Sequence, residues 1–194
     1  MADKSTEERI RYRREHAVDP EAFLRSIDAI RPSDGDEQLR FTAAFEADVR
    51  DHLETFRARG IDEAIVAEIF GVDEEQVTVP SRPYTAFRIR NTIRNWPSSD
   101  ALVFDAATDA SIREATYRWA DVPPRQRYRI LQSLRSFQDD CFFCSGTIEF
   151  SDGPVRSCCS DRQVLTVRCG DCGRRFLEFT ADRSTVGPAV SSGE

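Results

Sequence analysis

Two short runs, Cys141-Phe142-Phe143-Cys144 and Cys169-Gly170-Asp171-Cys172, hold the residue types best suited to chemistry in this chain. A gap of two residues lets one tight turn present both thiolates of a pair to the same ion. A second such turn completes a tetrahedron, so the four cysteines are candidate ligands of one Zn2+. Gly173 directly follows Cys172, where a glycine lets backbone N–H groups approach the sulfur; the first turn has Ser145 in that place and Gly146 one later. Four thiolates leave no coordination position for water or substrate, which makes the implied metal structural. The alternative is two CxxC pairs, reduced or disulfide-linked, with no metal.

The elements that must position these cysteines are short strands, near 147–150, 155–159, 164–168 and 175–180, which places a small β-ribbon at 139–182. Cys158 and Cys159 fall on one of them. Strand neighbours point to opposite faces, so at most one faces the metal or core. The readings open for this pair are one buried and one partly exposed thiol, a redox-sensitive thiol, or a spare ligand. Residues 183–194 are small and polar, and disorder is expected there. Residues 141–180 resemble the rubredoxin-like zinc ribbons of transcription, translation and RNA-processing proteins. The resemblance implies the metal-ligand role for Cys141, Cys144, Cys169 and Cys172. It implies no particular activity, because many ribbons serve protein contacts or stability alone.

Upstream, the pattern reads as helical. Residues 1–19 form a charged arm. Asp19-Pro20-Glu21 is a helix start leading into Phe23, Leu24, Ile27 and Ile30. Phe41, Phe45, Val49, Leu53 and Phe56 share one stripe of a long helix predicted over 37–59, and another apolar helix over 61–70 ends at Gly71. A basic amphipathic helix is expected over 84–96, with Arg90 and Arg94 opposite Ile89, Ile93 and Trp96 and with Arg88 at the margin. Ser111-Ile112-Arg113-Glu114 reads as a capping box, and Pro123-Pro124 opens a last helix. The expected fold class is therefore mainly α: a helical domain over 20–138 followed by the small zinc ribbon.

Composition bounds the function. No apolar stretch reaches the ~20 residues that span a bilayer, and residues 1–15 lack a signal-peptide core, which points to a cytoplasmic protein. With no export signal, six cysteines fit a metal site better than a disulfide framework. The net charge is −7, and Lys4 is the only lysine among 27 basic residues. Acidity with arginine in place of lysine resembles proteins of salt-loving archaea. In concentrated salt the screening length falls to ~3 Å at 1 M, so that acidity says little about partners.

The charge is uneven: residues 1–79 carry a net −9, residues 82–135 a net +5 and residues 136–194 a net −3. In the basic block, Arg88, Arg90, Arg94, Arg125, Arg127 and Arg129 can form one phosphate-binding surface if their helices lie side by side. The same six residues also suit ion pairs with the acidic N-terminal helices. Arg168, Arg174 and Arg175 flank the second CxxC, either offsetting the charge of the metal centre or adding to a nucleic-acid patch. Ala67, Gly71 and Val77 have the spacing of a partial helix-turn-helix at 61–82. Asp73-Glu74-Glu75 and the prolines at 80 and 83 oppose a working recognition helix.

Catalytic patterns are absent. Lys4 follows no glycine-rich loop, and neither Gly-x-Ser-x-Gly nor His-Glu-x-x-His occurs. His52 reads as a packed side chain and His16 as a solvated one, and no small-molecule substrate is evident. The expectation is a zinc-binding, non-enzymatic protein. Its partner is either DNA or RNA, as in a regulator, or another protein or a second copy of the chain.

Overall fold

The computed structural model describes residues 6–33, 38–157 and 160–181. Helix α1 (Thr6–Glu15) is docked by Tyr12, whose hydroxyl donates to the Asp121 carbonyl at 3.0 Å. Helix α2 (Pro20–Ser26) starts because Asp19 accepts the Ala22 N–H at 2.7 Å and Pro20 takes the first helical position. A two-stranded antiparallel sheet follows, β1 (Ile30–Pro32) with β2 (Leu39–Phe41). Thr42 then caps α3 (Ala43–Arg59), accepting the Phe45 N–H and donating to the Asp28 carbonyl. Gly60, at φ 81°, ends α3, and Asp62 caps α4 (Glu63–Phe70), which ends at Gly71 in the left-handed region.

A second sheet has the order β3 (Val77–Thr78), β4 (Ala86–Ile89), β5 (Thr92–Asn95), all antiparallel. Helices α5 (Ser99–Ala115) and α6 (Pro124–Leu134) lead to the third sheet. Its order is β6 (Ile148–Ser157), β7 (Ser160–Cys169), β8 (Arg175–Ala181).

This is a mixed α/β architecture and corrects the expectation of a mainly α fold. The decisive segment is 84–96, which forms the β4–β5 hairpin in place of the basic helix. Ile89, Ile93 and Trp96 recur at helical spacing, but Thr85, Phe87, Ile89, Thr92 and Ile93 favour a pleated, half-buried surface. Arg90-Asn91 makes the turn, with Arg90 at φ 53°. Two smaller corrections follow the same logic. The helix expected from residue 37 starts only at Ala43, because Leu39–Phe41 pair as β2. The Ser111 capping box lies inside α5, whose start is set by Ser98 accepting the Ala101 N–H at 3.1 Å. In the segment with helix-turn-helix spacing, α4 is followed by one 3-10 turn (Glu74–Gln76) and then by β3, so no second helix stands where recognition would require it.

One continuous core joins α2, α3, α4, α5, α6 and the β4–β5 hairpin, and includes Phe142 from the first CxxC turn. Inside it, α5 carries two buried carboxylates one turn apart. Asp105 accepts the indole N–H of Trp96 at 2.8 Å and two guanidinium N–H groups of Arg135 at 2.7 and 2.5 Å. Asp109 accepts the indole N–H of Trp119 at 2.8 Å and the Arg113 Nε–H at 2.5 Å. Both tryptophans of the chain are thus held by aspartates of one helix. The Asp105–Arg135 pair is sealed, with side chains 0% and 1% exposed. Burial alone pulls the Arg135 pKa down, but the Asp105 charge and hydrogen bonds more than offset it and hold the group above its ordinary value.

Asp105→Ala strands a buried guanidinium, and is expected to cost about 3–5 kcal/mol in denaturant unfolding. The double replacement Asp105→Leu with Arg135→Met is expected to recover most of that loss, since an apolar pair of similar volume removes both charges together.

Candidate metal centre

The two CxxC turns are built alike. In each, the N–H of the residue after the second cysteine donates to the carbonyl of the first: Ser145 to Cys141 at 2.7 Å and Gly173 to Cys169 at 3.0 Å. In each, the first cysteine's N–H donates to the carbonyl five residues on, Cys141 to Gly146 at 2.8 Å and Cys169 to Arg174 at 2.9 Å. Both turns need a left-handed residue after the second cysteine, and Ser145 (φ 57°) and Gly173 (φ 71°) supply it. The first turn therefore adopts the same conformation without a glycine. The Gly170 N–H donates to the Thr147 carbonyl at 2.9 Å, bringing the turns together, and β6, β7 and β8 fix them from behind.

The result gathers the Sγ atoms of Cys141, Cys144, Cys169 and Cys172 within 4.8 Å of one another, where they can hold one metal ion. Cys141 and Cys169 are fully buried, Cys172 is half-buried and Cys144 is exposed. The Cys172 N–H points at the Cys169 sulfur at 3.5 Å. The surroundings act in opposite directions on the thiols of Cys141 and Cys172. Burial pushes Cys141 up to about 12. At Cys172 burial also acts upward, but hydrogen bonds from the backbone and side chain of Arg174 and from the neighbouring thiols bring it down to about 6.

The centre is fastened to the domain beside it by the two residues between Cys141 and Cys144. Phe142 enters the main core edge-on to Phe41 and Phe104, with the Arg50 guanidinium 4.5 Å from its ring centre. Phe143 packs on Phe176 and contacts two guanidinium groups, Arg57 from α3 and Arg174 from the second turn. Arg174 also pairs with Asp100 of α5 at 3.2 Å. The Cys172 sulfur, followed by Asp100, holds it above its ordinary pKa. Ser98, the cap of α5, donates to the Arg175 carbonyl at 2.6 Å, and Arg135 donates to the Phe176 carbonyl at 3.2 Å. Sequence reasoning missed Asp105, Asp109 and Arg135. Their signal was present as two aspartates four apart within the largely apolar middle of α5, in a chain with only two tryptophans.

The six arginines read as a phosphate surface are dispersed. Arg88 is exposed on β4, while Arg94 lies on the other face of the hairpin, its guanidinium 5.4 Å from the Tyr128 ring centre. Arg90 donates to Gln76 at 3.1 Å. Arg125 and Arg129 are exposed on α6, but Arg127 between them is buried. Near the metal centre, Arg168 pairs with Glu149 and Arg175 with Glu178, leaving Arg174 as the cation beside the sulfurs. His52 pairs with Glu114 at 3.2 Å, and His16 stacks on Tyr12. Cys158 and Cys159 lie outside the described residues, as does the tail from 182. Among the described residues no helix is long and apolar enough to cross a membrane.

A helical and sheet domain docked on a β-ribbon that gathers four cysteines, able to hold one metal ion, defines the architectural class of the chain. The chain belongs to the family of unknown function DUF8054, whose central domain matches residues 19–136 and whose C-terminal domain matches residues 139–179. No curated protein and no solved structure matches it.

Gly173→Val is expected to cost about 1–2 kcal/mol through φ alone, since a Cβ there meets nothing within 4 Å. Ser145→Gly is expected to cost nothing, because it relieves the same strain in the first turn. Thermal unfolding of the metal-loaded chain checks both.

Proposed function

We propose that the four cysteines hold one structural Zn2+ and that the chain is a non-enzymatic binding protein whose partner is another protein. The observation that carries the metal reading is the spacing of the sulfurs. Cys141 and Cys172 are 3.8 Å apart and Cys144 and Cys169 3.5 Å apart. A tetrahedral zinc with Zn–S near 2.3 Å sets sulfurs about 3.8 Å apart. The ion lowers the thiol pKa values that burial raises, and so makes all four thiolates available at neutral pH. With four protein ligands it offers no position for substrate, which suits stability and not catalysis.

For the partner, the carrying observation is a set of exposed apolar side chains on one face of the ribbon, beside the buried Val167 and Leu177. Phe150, Leu165 and Phe179 are exposed there by 64%, 39% and 50%. Leu165 pairs directly with Phe179, and Phe150 pairs with Val167 two residues along, so all three share one face of the sheet. The ribbon's Arg168 and Arg175 are engaged by Glu149 and Glu178, so this surface suits an apolar protein contact better than phosphates. Exposed Arg88, Arg125 and Arg129 keep a nucleic-acid regulator as the second reading. The arginine-rich, acidic composition fits a haloarchaeal cytoplasm as the setting.

Metal analysis of the native chain is expected to find one zinc. Cys172→Ser is expected to lose the metal and unfold the ribbon, and Cys159→Ser to keep both; the reverse pattern overturns the ligand assignment. Fluorescence polarisation with labelled DNA and RNA is expected to show no binding. Binding that weakens linearly in log salt and is reduced by Arg125→Glu with Arg129→Glu establishes the second reading and sinks the first.

A further inference from the structure

A cavity of about 430 Å³ opens between α4, the end of α5 and the start of α6, remote from the cysteines in sequence. Its lining includes Ala67, Glu68, Gly71, Arg113, Ala120 and Arg127. Arg127 is the anomaly. It is 3% exposed, no carboxylate lies within ion-pairing distance of it among the described residues, and its Nε is sealed from solvent without a hydrogen-bond partner. A buried charge without a counter-charge costs several kcal/mol, and a chain under no other constraint replaces it with an apolar residue. Burial depresses its pKa, and the Asp109 charge only partly offsets that. Both Asp109 oxygens are already committed, to Trp119 and to Arg113.

The surroundings add to this positive character. Arg113 stands in the same cavity wall, steered by Asp109 and by the Glu68 carbonyl, to which it donates at 2.5 Å. The first turn of α6 contains no acidic residue, so the positive end of its dipole is uncompensated. Gly71 makes room for the guanidinium: a Cβ there would stand 2.5 Å from a terminal nitrogen of Arg127. The C-terminal end of α4 lends partial negative charge, but no hydrogen bond to Arg127 comes from it. The carboxylates of Glu68 and Glu74 also line the cavity, and both are exposed to solvent. They limit the size and total charge of an occupant without reaching Arg127.

We propose that this cavity binds a small oxyanion, a phosphate or carboxylate group, held by Arg127 as buried counter-ion with Arg113 beside it. Guanidinium groups, of which this cavity wall holds two, are the side-chain chemistry that recognises such groups bidentately.

The test is calorimetric titration and thermal unfolding of the metal-loaded full chain with inorganic phosphate, malonate and chloride at matched ionic strength. Phosphate or malonate is expected to bind and to raise the unfolding temperature beyond chloride, and the tighter of the two names the group. Arg127→Met is expected to weaken that binding at least about tenfold while leaving zinc content unchanged. Ala120→Glu, which places a carboxylate in the cavity wall, is expected to raise the unfolding temperature without added anion and to abolish the response to phosphate. Equal responses to chloride and both oxyanions overturn the proposal. Wild-type affinity in either variant also overturns it.

Discussion

Asp105 is a carboxylate with no solvent contact, and side chains from both sides of α5 in the sequence, Trp96 and Arg135, converge on it. Trp96 reaches it from the end of the β4–β5 hairpin and Arg135 from just beyond α6. Through the free edge of Arg135 it is linked to the Phe176 carbonyl of the cysteine ribbon. An isolated buried carboxylate is unaffordable, and so is an isolated buried guanidinium, so each fixes the position of the other. The geometry needed to satisfy both sets the angle at which hairpin, helix and ribbon meet. Asp109 repeats the arrangement one turn along, with Trp119 and Arg113, and sets the other end of α5 against α4.

That constraint explains why the ribbon is not an appendage. A four-cysteine module of this size buries little apolar surface of its own; its private core is Cys141, Cys169 and Phe176 with a few half-buried neighbours. It gains the rest by sending Phe142 between Phe41 and Phe104 and by resting Phe143 against Arg57 of α3. The two cysteine turns are therefore coupled to the companion domain through aromatic contacts immediately adjacent to the sulfurs. The companion domain in turn helps hold the four sulfurs together.

Much of this was legible in the residues. Asp19-Pro20, Gly60, Gly71 and Pro123-Pro124 marked helix ends where helices do end, and the apolar stripe of α3 is its buried face. The CxxC spacing located the sulfur cluster. What failed was local pattern read without tertiary context. The same apolar positions in 84–96 satisfy both a helical and a strand period, and only the β-branched content and the Arg90-Asn91 turn favour the hairpin. The strands expected near 147–150 and 155–159 are one strand, β6, which runs through 151–154 without interruption. The arginines shared one charge sign and little else. Whether each packs, pairs or stands free depends on neighbours contributed by other elements, which periodicity does not encode.

Pro154 lies in β6, and β6 is an edge of the ribbon sheet, where a residue lacking an N–H is tolerated because no neighbour asks for it. That vacancy has a second effect. A ten-residue edge strand is a ready template for adding a strand from another molecule, the first step of edge-to-edge aggregation. A proline midway along it breaks the row of donors such a strand would need. The ribbon can thus keep Phe150, Leu165 and Phe179 open to solvent while its margin resists growth into a larger sheet.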